Sequence, residues 1–160
     1  MTIVCVETSV WARLSDREDK DKRRMTFTFL RWAKKRCDLR ISRIVRSELA
    51  KTSDESVRKR TERKIRAIRP RTITSGSAVE RIVQALVQRN VLTSTHLADL
   101  YHVAYALVDR ADCLVTWDQA DLAREWTRDR VNRYCEDTGR KALFIGTPME
   151  VMRWLGTRIP

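Results

Sequence analysis

The segment VCVETSVWARL, residues 4–14, changes from a strand pattern to a helix pattern at an acidic residue. Its first three residues are apolar in succession, which is typical of a strand buried on both faces of a sheet. Glu7 follows directly, and the hydroxyl residues Thr8 and Ser9 precede the helical pattern. A carboxylate at the tip of a core strand is costly to bury unpaired, so its surroundings decide what it does.

Short apolar strands alternate with helices along the rest of the chain. We predict strands over 2–6, 38–42, 113–117 and 142–145. Helical patterns lie between them, including 54–68, 121–137 and a last helix with Thr147 as N-cap and Pro148 in its first turn. This order predicts an α/β domain with a mainly parallel sheet. In such sheets, ligands bind just beyond the carboxyl ends of the strands.

The composition limits the class of protein. The 160 residues include 4 glycines and 3 prolines, with no linker and no repeat of fixed period, so we predict a single domain over 1–160. No apolar run is long enough to span a membrane, and the first strand lacks the basic start of a secretory signal. The 4 cysteines are widely spaced, which favours reduced thiols in the cytoplasm over a zinc site.

The chain is strongly basic, with a net charge of +12 from 33 Lys and Arg against 21 Asp and Glu. Such a charge attracts phosphate polymers through its field and through counterion release. Solubility or an acidic protein partner explains the same charge, and the composition alone does not separate the three. The segment 51–71 is either a solvated helix or a contact surface for RNA or for an acidic partner. Its candidate RNA-binding residues are Arg58, Arg60, Arg63, Arg66 and Arg69.

Three further acids occupy positions where a charge is costly. Asp118 follows the third predicted strand, although capping of the next helix is an equally good account of it. Glu48 falls on the apolar stripe of RIVRSELA, where exposure at the edge of the stripe is the alternative. Asp99 lies in the almost entirely apolar helix LADLYHVAYALV, three positions before His102. A purely structural explanation of Asp99 is that its carboxylate pairs with His102 or with a buried arginine.

The four acids together indicate a metal site. Clustered carboxylates repel each other, which raises their pKa values, and a divalent cation removes the repulsion. Mg²⁺ and Mn²⁺ prefer oxygen ligands, and such ions activate water for phosphodiester cleavage. A basic protein around an acidic metal site is what a nuclease needs. For base stacking, Trp117 beside the fourth acid is the tryptophan to test.

The motifs VETS, SELA, ADLYHVAYAL and LVTWDQADLA resemble, in this order and spacing, the PIN-domain ribonucleases, in particular the VapC-type toxins of prokaryotic toxin–antitoxin pairs. The resemblance covers almost the whole chain, up to LFIGTPMEVM. It implies a three-layer α/β/α sandwich and a cytoplasmic, metal-dependent endoribonuclease that uses Mg²⁺ or Mn²⁺ to cleave RNA. An acidic antitoxin partner and a homodimer are implied as well.

The resemblance also assigns roles to single residues. The family's four catalytic and metal-binding acids fall on Glu7, Glu48, Asp99 and Asp118. Its supporting positions fall on Thr8, Ser9, His102 and Thr116. The first family acid is usually Asp, so Glu7 is typical of a subgroup. A catalytically weak or silent module that binds RNA or protein is therefore one alternative. A phosphoreceiver-like domain is another, but ALFIGTP offers no lysine at the strand end where that class needs one.

Overall fold

A computed structural model describes residues 1–74, 76–93 and 96–158 of the protein. The strands in these residues are β1 (Ile3–Val6), β2 (Asp38–Ser42), β3 (Arg71–Ile73), β4 (Cys113–Val115) and β5 (Phe144–Gly146). They form one sheet in the order β3-β2-β1-β4-β5, and every pair of neighbours is parallel. The predicted α/β class with a parallel sheet is confirmed.

Helices cover both faces of this sheet. Those in the described residues are α1 (Thr8–Arg13), α2 (Lys20–Lys34), α3 (Arg43–Ala50), α4 (Glu55–Ile68), α5 (Ala78–Gln88), α6 (Leu97–Val108), α7 (Glu125–Asp137) and α8 (Pro148–Gly156). None of these helices combines the length and the apolar character that crossing a membrane requires.

Two separate hydrophobic cores result, because successive side chains of a strand point to opposite faces. Cys5 and Leu114 belong to the core beneath α5, α6 and α7. Val4 and Val6 belong to the core beneath α1, α2, α3, α4 and α8, which also contains the fully buried Trp11. The sheet between two helical layers is the three-layer α/β/α arrangement that we expected.

The order of strands reverses between β1 and β4, which are neighbours at the centre of the sheet. Val6 pairs with Val115, so the two strands end at the same level. Just beyond these residues, the backbone N–H of Glu7 still donates to the carbonyl of Val115 at 3.0 Å. A crevice at such a reversal, outside the carboxyl ends of parallel strands, is where α/β proteins bind ligands.

The structure differs from the sequence-based elements in several places. The strands predicted over 2–6, 113–117 and 142–145 are observed as Ile3–Val6, Cys113–Val115 and Phe144–Gly146. Strand β3 was not predicted, because three residues after an Arg-Pro-Arg sequence carry no clear strand pattern. Helix α7 begins at Glu125 rather than at Asp121, and residues 119–123 form a turn. The carboxylate of Asp118 accepts from the N–H of Asp121 at 3.0 Å and so caps this turn instead of a helix.

Two local predictions are confirmed. Helix α8 begins after Thr147, whose side chain forms a capping box with Glu150, and Pro148 occupies the first turn. The 4 cysteines of the chain are all free and buried. Burial raises the pKa of each thiol, so these residues act as small apolar side chains of the two cores.

Candidate active site

Glu7 occupies the end of β1 and is buried, with a relative exposure of 6%. Its Oε2 accepts a hydrogen bond from the hydroxyl of Thr116 at 2.8 Å and another from the hydroxyl of Ser9. The Ser9 oxygen in turn accepts from the backbone N–H of Trp117 at 2.9 Å. These bonds join the ends of β1 and β4 and fix one oxygen of the carboxylate. The other oxygen, Oε1, lies 3.5 Å from Nε2 of His102.

Glu48 reaches the same place from α3. Its Oε1 accepts from the hydroxyl of Thr8 at 2.7 Å and lies 2.6 Å from Nε2 of His102. Burial alone would raise the pKa of Glu48, but the hydrogen bonds with His102 and Thr8 outweigh it and hold the pKa below its ordinary value. Glu48 therefore carries its negative charge at neutral pH. The buried imidazole of His102 lies between two carboxylates from two different elements.

Asp99 lies in the first turn of α6 and is partly buried. Burial raises its pKa to about 6, and the charges of Asp118 and Glu7 also raise it, whereas His102 and His96 lower it. Asp99 therefore does not form the simple pair with His102 or with a buried arginine that was the structural alternative, because several charged groups act on it. Asp99 is instead a carboxyl that faces other carboxylates, and it changes its charge close to neutral pH.

Asp118 does not cap the next helix, which was one of the two roles that the sequence left open, because Arg124 precedes that helix. Its side chain caps the turn at 119–123, and its charge acts on Asp99. The hydroxyl of Thr116 holds the segment in place, because it accepts from the N–H of Asp118 at 3.0 Å while it donates to Glu7. Electrostatic interactions link Asp99 to Asp118 and to Glu7, and His102 lies between Glu7 and Glu48, so the acids of the sequence analysis lie near one another. Thr8, Ser9, Thr116 and His102 contact and orient the two glutamates.

Two residues of this region were not identified from the sequence. Nε2 of His96 lies 3.4 Å from Oδ2 of Asp121, and both approach Asp99. A possible signal was the position of His96, three residues before Asp99 and therefore one helical turn away. Asp121 gave no signal, because the sequence pattern predicts a helix from residue 121, whereas the structure has a turn over 119–123 that brings Asp121 close to Asp99.

The ligand-type atoms form two groups in the described residues. Glu7, Glu48 and His102 form one, and His96, Asp99 and Asp121 form the other. Within each group, the candidate atoms lie within 4.8 Å of one another. Such distances are compatible with one metal ion per group after small movements, since metal–oxygen and metal–nitrogen bonds are about 2.0–2.2 Å long.

The arginines predicted to bind RNA lie on α4 and at its C-cap, which is Arg69. Arg58 and Arg60 are half-buried and donate to Thr52 and Ser56 of the same segment. Exposed side chains follow towards the end of the segment: Arg63, Arg66 and Arg69. The outer face of α4 and its C-cap are therefore basic.

Trp117 is held in place, because its indole N–H donates to Thr26 at 2.8 Å and its ring packs against the core under α2. Trp126 is different. It is 42% exposed at the start of α7, with the guanidinium of Arg130 4.0 Å from its ring centre and that of Arg124 6.0 Å away. An exposed aromatic ring beside two arginines is the arrangement suited to stacking with a base.

Comparisons with known proteins give a likeness of fold. No family model matches the chain, and no curated protein matches it. Among solved structures, a chain in the crystal structure of VapBC2 from Rickettsia felis bound to a DNA fragment from their promoter is similar, with a TM-score of 0.59. The match covers 90% of this chain and 97% of that chain at 14% sequence identity. This likeness shows that the two chains share a fold.

Proposed function

We propose that this protein is a metal-dependent endoribonuclease of the PIN-domain, VapC type, and the toxin component of a prokaryotic toxin–antitoxin pair. One observation carries the proposal: acidic side chains meet at the carboxyl ends of β1 and β4, where hydrogen bonds hold two of them at fixed angles. A raised pKa at Asp99 is the expected mark of carboxylates gathered for a cation. The sequence resemblance and the fold of the VapBC2 chain support the same reading.

The residues proposed to hold the cation are Glu7, Glu48, Asp99 and Asp118. A bound Mg²⁺ or Mn²⁺ would supply an acidic water and neutralise charge on the leaving oxygen. Ser9 and Thr116 orient Glu7, and Thr8 orients Glu48. These hydroxyls keep the carboxylates in position while substrate binds, which lowers the cost of reaching the reactive geometry.

RNA is the proposed substrate because the site lies in a chain of net charge +12. In this proposal, the outer face of α4 attracts the phosphate backbone through Arg58, Arg60, Arg63, Arg66 and Arg69. The exposed ring of Trp126 offers a surface on which a base stacks. An RNA chain would then contact both the arginines of α4 and Trp126, while the acidic site itself repels phosphates until a cation is bound.

An acidic antitoxin segment is the proposed protein partner. Helices α2 and α4 border a groove of about 280 Å³. Leu14, Phe27 and Leu30 are apolar lining residues of this groove, and Arg31, Lys34 and Lys64 supply positive charge. Phe27 is 47% exposed there, which favours coverage by a partner. The proposal also includes a homodimer in the cytoplasm.

The second candidate function is a catalytically weak or silent module that binds RNA or protein. Glu7 favours it, because a longer side chain than the usual Asp changes where a cation would lie. Metal-dependent cleavage separates the two functions.

The test is cleavage of a mixed RNA pool by the purified protein with Mn²⁺, with and without a chelator. We expect cleavage with Mn²⁺, none after chelation, and a loss of at least ~100-fold in the Asp99→Asn variant, which keeps the shape but loses the charge. Equal cleavage by Asp99→Asn, or cleavage that resists the chelator, would contradict the nuclease proposal.

A further inference from the structure

His102 occupies an unusual position for a residue that only supports carboxylates. It is 3% exposed, and its Nε2 lies 2.6 Å from Oε1 of Glu48 and 3.5 Å from Oε1 of Glu7. One nitrogen therefore faces two carboxylate oxygens that come from different elements, α3 and the end of β1. The three atoms lie within 4.8 Å of one another.

Hydroxyl groups fix the position of both glutamates. Oε2 of Glu7 is held by Ser9 and Thr116, so its Oε1 is the oxygen turned to the imidazole. Oε1 of Glu48 is held by Thr8 as well as by His102. Such outer hydrogen bonds are what orients carboxylate ligands in metal sites, and they are present on both glutamates.

We propose that Nε2 of His102 is a direct metal ligand together with Glu7 and Glu48, and that it gives the site a preference for a transition metal such as Mn²⁺, Co²⁺ or Zn²⁺ over Mg²⁺. This inference rests on the proposed function, because it concerns the same site. Imidazole nitrogen suits transition metals, whereas Mg²⁺ requires oxygen ligands and retains its water. A set of two carboxylates and one imidazole therefore discriminates between these ions.

The distances are compatible with this ligation. Two ligands at ~2.1 Å from one ion and at right angles to each other lie about 3.0 Å apart. The observed separations from Nε2 are 2.6 Å to Glu48 and 3.5 Å to Glu7. Neither separation has to change by more than about 0.5 Å to reach this value. A bound ion would take the place of the proton between Nε2 and Glu48, and that proton would be released to solvent.

The chain has only 2 histidines, which makes the ligand identifiable by spectroscopy. We would add one equivalent of Mn²⁺ to the intact protein and record pulsed electron paramagnetic resonance for coupling to imidazole ¹⁴N. The parent and the His96→Asn control should both show the coupling, and His102→Asn should lose it. If His102→Asn does not fold, His96→Asn still decides the result, because His102 is then the one imidazole left in the chain.

Calorimetry supplies a second measurement. The ratio of the Mn²⁺ affinity to the Mg²⁺ affinity should fall at least ~10-fold in His102→Asn, as expected for loss of one ligand that favours Mn²⁺. Mn²⁺ that binds the parent or His96→Asn without nitrogen coupling overturns the assignment of His102 and leaves an all-oxygen metal nuclease standing. A parent that binds no Mn²⁺ overturns the proposed metal-dependent function together with this inference.

Discussion

At the scale of single residues, the extra methylene of Glu7 has a structural explanation. The longer side chain meets Ser9 and Thr116 with one oxygen while the other faces His102. Aspartate at this position would be shorter by about 1.5 Å, the length of one carbon–carbon bond. It could keep one set of contacts but not both. The site around Glu7 is therefore built for glutamate, whereas the family pattern is built for aspartate.

We expect Glu7→Asp to lower Mn²⁺-dependent RNA cleavage by ~10–100-fold, because a displacement of about 1 Å in a catalytic group costs rates of this order. Glu7→Gln should remove cleavage, since the amide keeps the shape but does not supply a negative charge. Initial rates on one RNA at saturating Mn²⁺ measure both effects. Glu136→Asp is the matched control, because it shortens an exposed glutamate outside the site. The sequence resemblance alone predicts that Glu7→Asp retains some activity or improves it, because Asp is the more usual family ligand. Cleavage by Glu7→Asp at the parent rate or above would therefore show that the observed contacts of Glu7 do not control the rate.

Asp99 links the site to stability through pH. In the metal-free protein its pKa is about 6, against 3.8 for an ordinary aspartate. Well below pH 3.8 the carboxyl is protonated in both the folded and the unfolded chain, so it has no effect on stability. As the pH rises from about 3 to about 7, the carboxyl ionises first in the unfolded chain, and this favours unfolding. Above about pH 7 the full cost is present, at most ~3 kcal/mol and ~1–2 kcal/mol after solvent screening.

Asp99→Asn should therefore raise the melting temperature of the metal-free protein by ~2–8 °C at pH 7 and above, and most of this gain should be lost at pH 4. Thermal unfolding in a chelating buffer at pH 4, 5, 6, 7 and 8 measures the difference. Asp129→Asn, which makes the same change at an exposed position of α7, should show no such dependence on pH. A gain that is equal at pH 4 and pH 8 would mean that the charge of Asp99 is not the cause.

At the scale of elements, apolar runs and cap residues were sufficient to predict four of the strands and the start of α8. These features are local, since an apolar run or a Thr-Pro pair acts on its own neighbours. The short strand β3 depends on pairing with β2, and the late start of α7 depends on a turn capped by Asp118. The formation of β3 and the start of α7 therefore depend on contacts between distant residues, which the pattern of apolar residues along the chain does not show.

Helix α4 offers a test of RNA binding by charge. Each phosphate contact with single-stranded RNA contributes ~0.7 to the slope of log K against log salt. Changing the exposed Arg63, Arg66 and Arg69 to Gln should reduce this slope by up to ~2. Binding of a fluorescent RNA at several salt concentrations measures it. Changing three exposed arginines on other elements, Arg133, Arg140 and Arg153, removes the same charge and should alter the slope by less. Equal effects of the two triple variants would indicate that only the net charge attracts RNA.

At the scale of the whole molecule, the strand order explains how distant residues meet. The reversal between β1 and β4 brings residues 7 and 116–118 together, and α3 and α6 carry Glu48 and His102 to the same edge. The parallel sheet could be predicted from the sequence, and with it the edge where the acids lie. The place of His102 between two glutamates, and the approach of His96 and Asp121 to Asp99, could not. They depend on side-chain packing between different elements, with Asp99 and Asp121 22 residues apart and Glu48 and His102 54 residues apart.

A cation that joins these elements should stabilise the entire fold. Binding to the folded chain alone adds about 2.7 kcal/mol at a concentration of 100 times Kd, which corresponds to a rise of ~5–11 °C in melting temperature for a chain of this size. We expect this rise with Mn²⁺ and its reversal by a chelator. Glu48→Gln should lose most of it, because the amide removes a negative ligand that holds α3 to the site.

Thr147→Ala provides the control for this experiment. It breaks the capping box of α8, which lies outside the acidic site, and should cost ~0.5–2 kcal/mol without metal. The rise in melting temperature that Mn²⁺ causes should nevertheless be the same in Thr147→Ala as in the parent, because the metal ligands are intact. A general effect of salt or of lower stability would instead change this rise in Thr147→Ala as well as in Glu48→Gln. If saturating Mn²⁺ does not raise the melting temperature of the parent, the acids are not a metal site, and the function to pursue is the binding of RNA or of a protein partner.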